Sequence, residues 1–191
     1  MRAIDGHAVF RYGTLVAFLL CYVTILLGGN VMASDSGLAC PEWPTCHGTF
    51  LPALSGPSGI EYGHRLAAGV LGLSIFLLAA VAFRYERPRP ILQRMIYWAS
   101  GLVLAQALLG GVVVDSGLAV DIVLLHFFLA TVLFGLLLIL TAVANLRDIP
   151  KGWLDWAWRA TDGVPEAPDG TSGGFAEPAP SAPGAPRGSS R

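Results

Sequence analysis

Four long apolar stretches of the chain carry no charged side chain, at 12–34, 66–83, 95–114 and 122–146. A helix needs about 20 apolar residues to cross the hydrocarbon core of a bilayer, and all four qualify, 66–83 by the narrowest margin. Lipid offers no hydrogen-bond partners to the backbone, so such runs must satisfy their own N–H and C=O groups as helices. The pattern therefore predicts an all-α membrane protein with spanning helices at about 12–34, 62–83, 95–114 and 122–146. A long Gly- and Pro-containing loop joins the first pair, a charged hinge joins the two pairs, and a short turn joins the second pair.

The polar positions repeat. Gly28-Gly29 precedes Asp35-Ser36-Gly37-Leu38-Ala39, and 82 positions after the first glycine pair Gly110-Gly111 precedes Asp115-Ser116-Gly117-Leu118-Ala119, with a two-residue difference in the spacer. Each unit then reaches a histidine, His64 or His126, close to the start of the returning helix. The expected architecture is a four-transmembrane-helix bundle made of two parallel-repeat helical hairpins, related by an axis along the membrane normal. The glycine pairs have two readings: close helix–helix packing, or room for a flat macrocycle against bare backbone.

Composition agrees with the pattern. Of 191 residues, 54% are hydrophobic and 13% charged, and the mean hydropathy is +0.61, a balance no ordinary soluble domain needs. A net charge of −1 gives no basis for nucleic-acid binding. Arg84, Arg87, Arg89 and Arg94 crowd the hinge, Arg2 and Arg11 the N-terminal stub, and Arg147, Lys151 and Arg159 the stretch after the last span, whereas the other two loops hold Arg65 alone. The positive-inside rule then puts both termini in the cytoplasm and 35–61 and 115–121 outside a plasma membrane crossed several times. Val31-Met32-Ala33 resembles a signal-peptide cleavage site, and Leu38-Ala39-Cys40 faintly a lipoprotein signal. The apolar run exceeds the usual core of about 7–15 residues, so it is read as a retained span.

The domain reading is a cytoplasmic stub at 1–11, the membrane domain at 12–146, an interfacial segment at 147–160 and a disordered cytoplasmic tail at 161–191. Trp153, Trp156 and Trp158 with Lys151 and Arg159 have the character of an interfacial anchor in contact with lipid. Beyond Thr161 the chain is too poor in apolar side chains to form a core.

The candidate chemistry gathers at the outer end. A histidine at membrane depth needs a polar partner, a proton route or a metal. His126 has no charged neighbour for twenty residues beyond it. A second histidine at similar depth on the repeat-related helix points to one shared ligand, and two neutral imidazoles on facing helices suit heme iron. His7 and His47 fall outside the expected spans and are weaker candidates. Glu61 and His64 share a helix face if the helix has begun by Glu61, and Arg65 could pair with Glu61 or hold an anionic group. Cys40 and Cys46 bracket Pro41 and Pro44 in an extracytoplasmic loop where a disulfide would persist, as a staple or as a redox-active pair. Zinc held by Cys40, Cys46 and His47 competes, but supplies three ligands where a structural site wants four. Cys21, mid-helix, reads as a small hydrophobe.

Taken together, residues 12–146 resemble the heme A synthase family of cytochrome oxidase assembly proteins. The resemblance rests on Gly28-Gly29, on Ser36 to Gly48 with Cys40-Pro41-Glu42-Trp43-Pro44-Thr45-Cys46-His47, on Glu61-Tyr62-Gly63-His64-Arg65, on Gln106-Ala107-Leu108-Leu109-Gly110-Gly111, and on Leu125-His126. It implies an oxidoreductase that turns the C8 methyl of heme O into the formyl of heme A by successive hydroxylations. It also implies His64 and His126 as axial ligands of heme iron, Glu61 as the acidic residue essential to the chemistry and Cys40–Cys46 as the outer-loop pair. Arg65 is expected to bind a propionate of the cofactor. Heme b would be the bound cofactor and heme O the substrate. An electron donor, heme O synthase or oxidase assembly factors would be partners.

Typical members of that family have eight spanning helices, whereas one four-helix unit is present here, with the loop and glutamate expected of the N-terminal half. Two histidines serve one six-coordinate heme, so a homo-oligomer, most simply a dimer, is expected. A single-heme bis-histidine membrane cytochrome b shares the histidines but gives Glu61 and the cysteine loop no task. A quinone-linked thiol–disulfide oxidoreductase would ordinarily carry Cys-x-x-Cys, which the chain lacks.

Overall fold

A computed structural model describes residues 5–50, 52 and 55–145. The interfacial segment and tail expected at 147–191 lie outside the described residues, as do positions 1–4 of the stub. Four helices follow one another: α1 (Gly6–Ala33), α2 (Gly56–Tyr85), α3 (Pro90–Asp115) and α4 (Val120–Asn145). All four are long and apolar enough to cross a membrane. The protein is a multi-pass, all-α membrane protein.

The helices run past the uncharged stretches that announced them, because charged residues at a span's ends still make helical backbone and reach back to the interface. α1 starts at Gly6, where Asp5 caps it by accepting from the N–H groups of His7 and Ala8. Part of the expected stub is therefore helix, and His7 lies inside α1. α3 opens on Pro90, whose missing N–H costs nothing at a first helical position. α2 begins at Gly56 and so carries Glu61, His64 and Arg65 in regular helix.

Each helix packs against its neighbours in chain order, and α1 closes the ring on α4. The two halves of the bundle differ. In the half near the 86–89 turn, Phe10, Ile75, Leu92, Ile96, Leu137 and Leu140 are fully buried and fill the centre. In the half near the long loop the centre is hollow. Outward faces carry lipid-compatible side chains such as Leu73, Leu104, Phe128 and Ile139.

The turn between α2 and α3 ties the packed end together. Glu86, completely buried, lies 2.8 Å from Nδ1 of His7, and Arg89 donates to the Val143 carbonyl at 2.8 Å. Arg11 adds a bond from Nε to the Asn145 side chain at 3.2 Å. All four helices thus meet in polar contacts at this end.

Candidate functional site

The hollow half holds a cavity of about 750 Å³, a size suited to a cofactor. Its floor is the top of the packed core, where Cys21, Leu71, Val103 and Leu133 belong to both. His64 and His126 line it from α2 and α4, so the structure brings the sequence-nominated pair to one chamber. Trp43, Pro44 and Phe50 reach over it from the loop.

Gly28 makes room for the His64 imidazole. A Cβ on Gly28 would stand 3.0 Å from His64 Cε1, and one on Gly110, its repeat equivalent, 3.6 Å from His126 Cε1. Gly111 serves the loop instead, since a Cβ there would be 3.2 Å from the Trp43 ring. Close packing therefore accounts for Gly28 and Gly111, whose near neighbours are a histidine and a tryptophan ring, whereas a Cβ at Gly110 would make an ordinary van der Waals contact. Gly29 has open space around its Cα and lines the cavity.

His64 has a defined tautomer. Its Nδ1 lies 3.1 Å from the backbone carbonyl of Thr24, which can only accept, so Nδ1 carries the proton and Nε2 keeps its lone pair. This is the arrangement by which proteins orient a metal-binding imidazole. An apolar chamber lined by two imidazoles, one of them oriented in this way, offers donors of the kind that a heme iron takes.

Glu61 is 3% exposed and held from two sides. Oε2 accepts the N–H of Cys40 at 2.7 Å, and Oε1 is ion-paired with Arg65 one turn later. Arg65 also donates to the carbonyls of Thr45 at 2.7 Å, Cys40 at 3.0 Å and Glu42 at 2.5 Å. Of the two uses the sequence left open for Arg65, the structure takes the pairing with Glu61. It adds a role that the sequence did not reveal, as the clasp of the loop. A propionate would compete for an arginine whose terminal N–H groups already have acceptors.

Cys40 and Cys46 are joined in a disulfide, both sulfurs buried. That removes the two thiolates the zinc alternative required, and among the described residues no group of three or more His, Cys, Asp or Glu could hold a metal ion. His47 lies in the loop at φ 51°, with Nε2 3.4 Å from the Ser58 hydroxyl. His7 is occupied by Glu86. The phenol of Tyr62 donates to the Phe50 carbonyl and adds a further tie between α2 and the loop. Cys21 is a free, buried cysteine.

Fold and site together define a four-helix membrane protein with an apolar chamber between two histidines under a disulfide-closed loop. Comparison with known proteins gives this class a family. The profile of the Cytochrome oxidase assembly protein family matches residues 11–57 and 58–161, and the chain belongs to that family. Heme A synthase of Geobacillus kaustophilus is 35% identical over 148 residues, covering 76% of this chain and 46% of the relative. Heme A synthase of Geobacillus thermodenitrificans is 34% identical, covering 75% and 45%. That of Lysinibacillus sphaericus is 34% identical, covering 78% and 52%. The chain spans about half the length of the curated relatives it matches.

Proposed function

We propose that this chain is a heme A synthase-like membrane oxidoreductase that converts the C8 methyl group of heme O to a formyl group for cytochrome oxidase assembly. The observation that carries the reading is the pair His64 and His126 on one chamber, with Nδ1 of His64 committed to Thr24 and Nε2 left to bind iron. Family membership and the relatives named heme A synthase support it.

In this reading His64 and His126 would hold the iron of heme b, which when bound would supply redox chemistry. Glu61 presents a carboxylate at the chamber wall, oriented by the Cys40 N–H and the Arg65 guanidinium. A fixed negative group there stabilises positive charge developing at an adjacent ring carbon, without having to reorient during the reaction. The walls are mostly apolar, with Trp43 and Phe50 contributed by the loop, a lining that disfavours water around the reacting group. Among the described residues there is one such histidine pair. Holding cofactor and heme O together would take a second four-helix unit, which a second copy of this chain would supply in a homodimer. An electron donor is a further partner of this reading. The proposed topology is the plasma membrane with both termini cytoplasmic and the disulfide loop outside, which reporter fusions at the 86–89 turn and at position 48 would test.

The decisive experiment is expression with a heme O source, followed by heme extraction and mass analysis, with Glu61→Ala beside wild type. Heme A or its alcohol intermediate from wild type alone supports the reading; heme O unchanged in a six-coordinate protein overturns it. That second result would favour a bis-histidine electron-transfer cytochrome b, for which one observation already speaks: both Glu61 oxygens have structural partners.

A further inference from the structure

The two histidines occupy equivalent places in the two hairpins but differ in their surroundings. His64 stands against Gly28 and gives Nδ1 to the carbonyl of Thr24. His126 stands against Gly110, yet its Nδ1 is buried and has no hydrogen-bond partner among the described residues. Position 106 is the repeat equivalent of position 24, by the same 82-residue offset that relates Gly28 to Gly110. At position 106 the side chain is glutamine. Its Nε2 donates to the backbone carbonyl of His126 itself at 2.9 Å, while its Oε1 is buried and also without a partner.

These two orphans are complementary. A carboxamide oxygen only accepts, and a neutral imidazole has one N–H to give. Each unpaired atom, left in an apolar interior, carries a desolvation cost. Gln106 is already bonded to the backbone carbonyl of His126, so both unpaired atoms belong to side chains tied at one residue.

We propose that Gln106 is the positioning residue of His126. With Nε2 it fixes the backbone of α4 at the histidine, and with Oε1 it takes the Nδ1 proton, so that Nε2 of His126 keeps its lone pair toward the chamber. Gln106 thereby does by side chain what Thr24 does by backbone carbonyl for His64. The inference rests on the bis-histidine reading of the site.

The probe is heme b, loaded into the full chain in detergent, with Gln106→Leu and Gln106→Glu beside wild type. Removing the acceptor makes the imidazole a weaker donor, so Gln106→Leu should raise the heme midpoint potential and loosen heme by about 10–100-fold. A carboxylate is a stronger acceptor, so Gln106→Glu should lower the potential while keeping the low-spin electron paramagnetic resonance signal. A residue that merely packs would not move the potential in opposite directions in the two variants. Wild-type potential and signal in both variants overturn the proposal for Gln106 alone. A wild-type protein that takes up heme b without a six-coordinate spectrum overturns the bis-histidine reading, and the role of Gln106 with it.

Discussion

The carboxylate of Glu61 accepts the backbone N–H of Cys40 at 2.7 Å, so the acid of the chamber wall is bonded to a half-cystine of the loop above it. The bond joins residues 21 positions apart and makes the loop part of the site rather than a cover laid over it. It also gives the disulfide a task that a simple staple would not have. By fixing Cys40, it fixes the amide that orients Glu61.

Replacing both cysteines, Cys40→Ser with Cys46→Ser, should therefore separate two properties. The helices and both histidines do not depend on the loop covalently, so heme uptake and its six-coordinate spectrum should persist. Conversion of heme O should fall toward the level of Glu61→Ala, and protease should cut the loop faster. Full conversion in the double variant would show that Glu61 needs no help from the disulfide.

Arg65 is the more costly residue to lose. Arg65→Leu strips the buried Glu61 of its counter-charge and three loop carbonyls of their donor, and breaking a buried pair from one side costs about 3–5 kcal/mol. Arg65→Lys keeps the charge but not the planar fork, and should recover only part of this. Thermal unfolding in detergent, followed by circular dichroism, should rank wild type above Lys above Leu.

Gly28 and Gly101 make a matched pair on the helices. Alanine at Gly28 would put its Cβ 3.0 Å from the His64 ring and push the imidazole off its Thr24 bond. Gly28→Ala should weaken heme binding without unfolding the bundle. Gly101 has open space around it, so Gly101→Ala should leave the heme spectrum unchanged and stabilise α3 by up to about 1 kcal/mol. Heme titration with thermal melts of both variants checks the contrast.

The buried Glu86 holds the far end. Glu86→Leu removes the acceptor of His7 and leaves Arg89 facing an apolar side chain, at a cost of about 1–3 kcal/mol. A lower melting temperature with an unaltered spectrum is expected, because the site lies at the other end of the bundle. A changed spectrum would mean that the two ends are coupled.

The helix count and the histidine pair were legible because lipid imposes a coarse code: absence of charge marks a span, and a polar group inside one stands out. The repeat supplied the rest, by placing His64 and His126 in equivalent hairpins. Helix ends were not legible, since Asp5 and Pro90 extend α1 and α3 into charged sequence that the code treats as outside. Nor was the use of Arg65, whose partners are backbone carbonyls and leave no trace in residue identity. Glu86 passed as one charge among the hinge arginines, and only tertiary packing shows that it is buried. The Asp-Ser-Gly-Leu-Ala copies look identical in sequence but are not so in backbone. The left-handed residue is Asp35 in the first copy, and Gly117 and Leu118 in the second, because the two-residue difference shifts the motif relative to the helix end.

Those two copies also touch: a Cβ on Gly37 of the first would lie 3.0 Å from the side chain of Leu118 in the second. Each hairpin thus meets its counterpart through the same short segment, and the peptide that links them crosses an exposed Arg87-Pro88 pair. In assembly terms the domain is two subunits on a tether. Hairpins 1–87 and 88–191, expressed as separate chains, should find each other in the bilayer and rebuild the chamber between them.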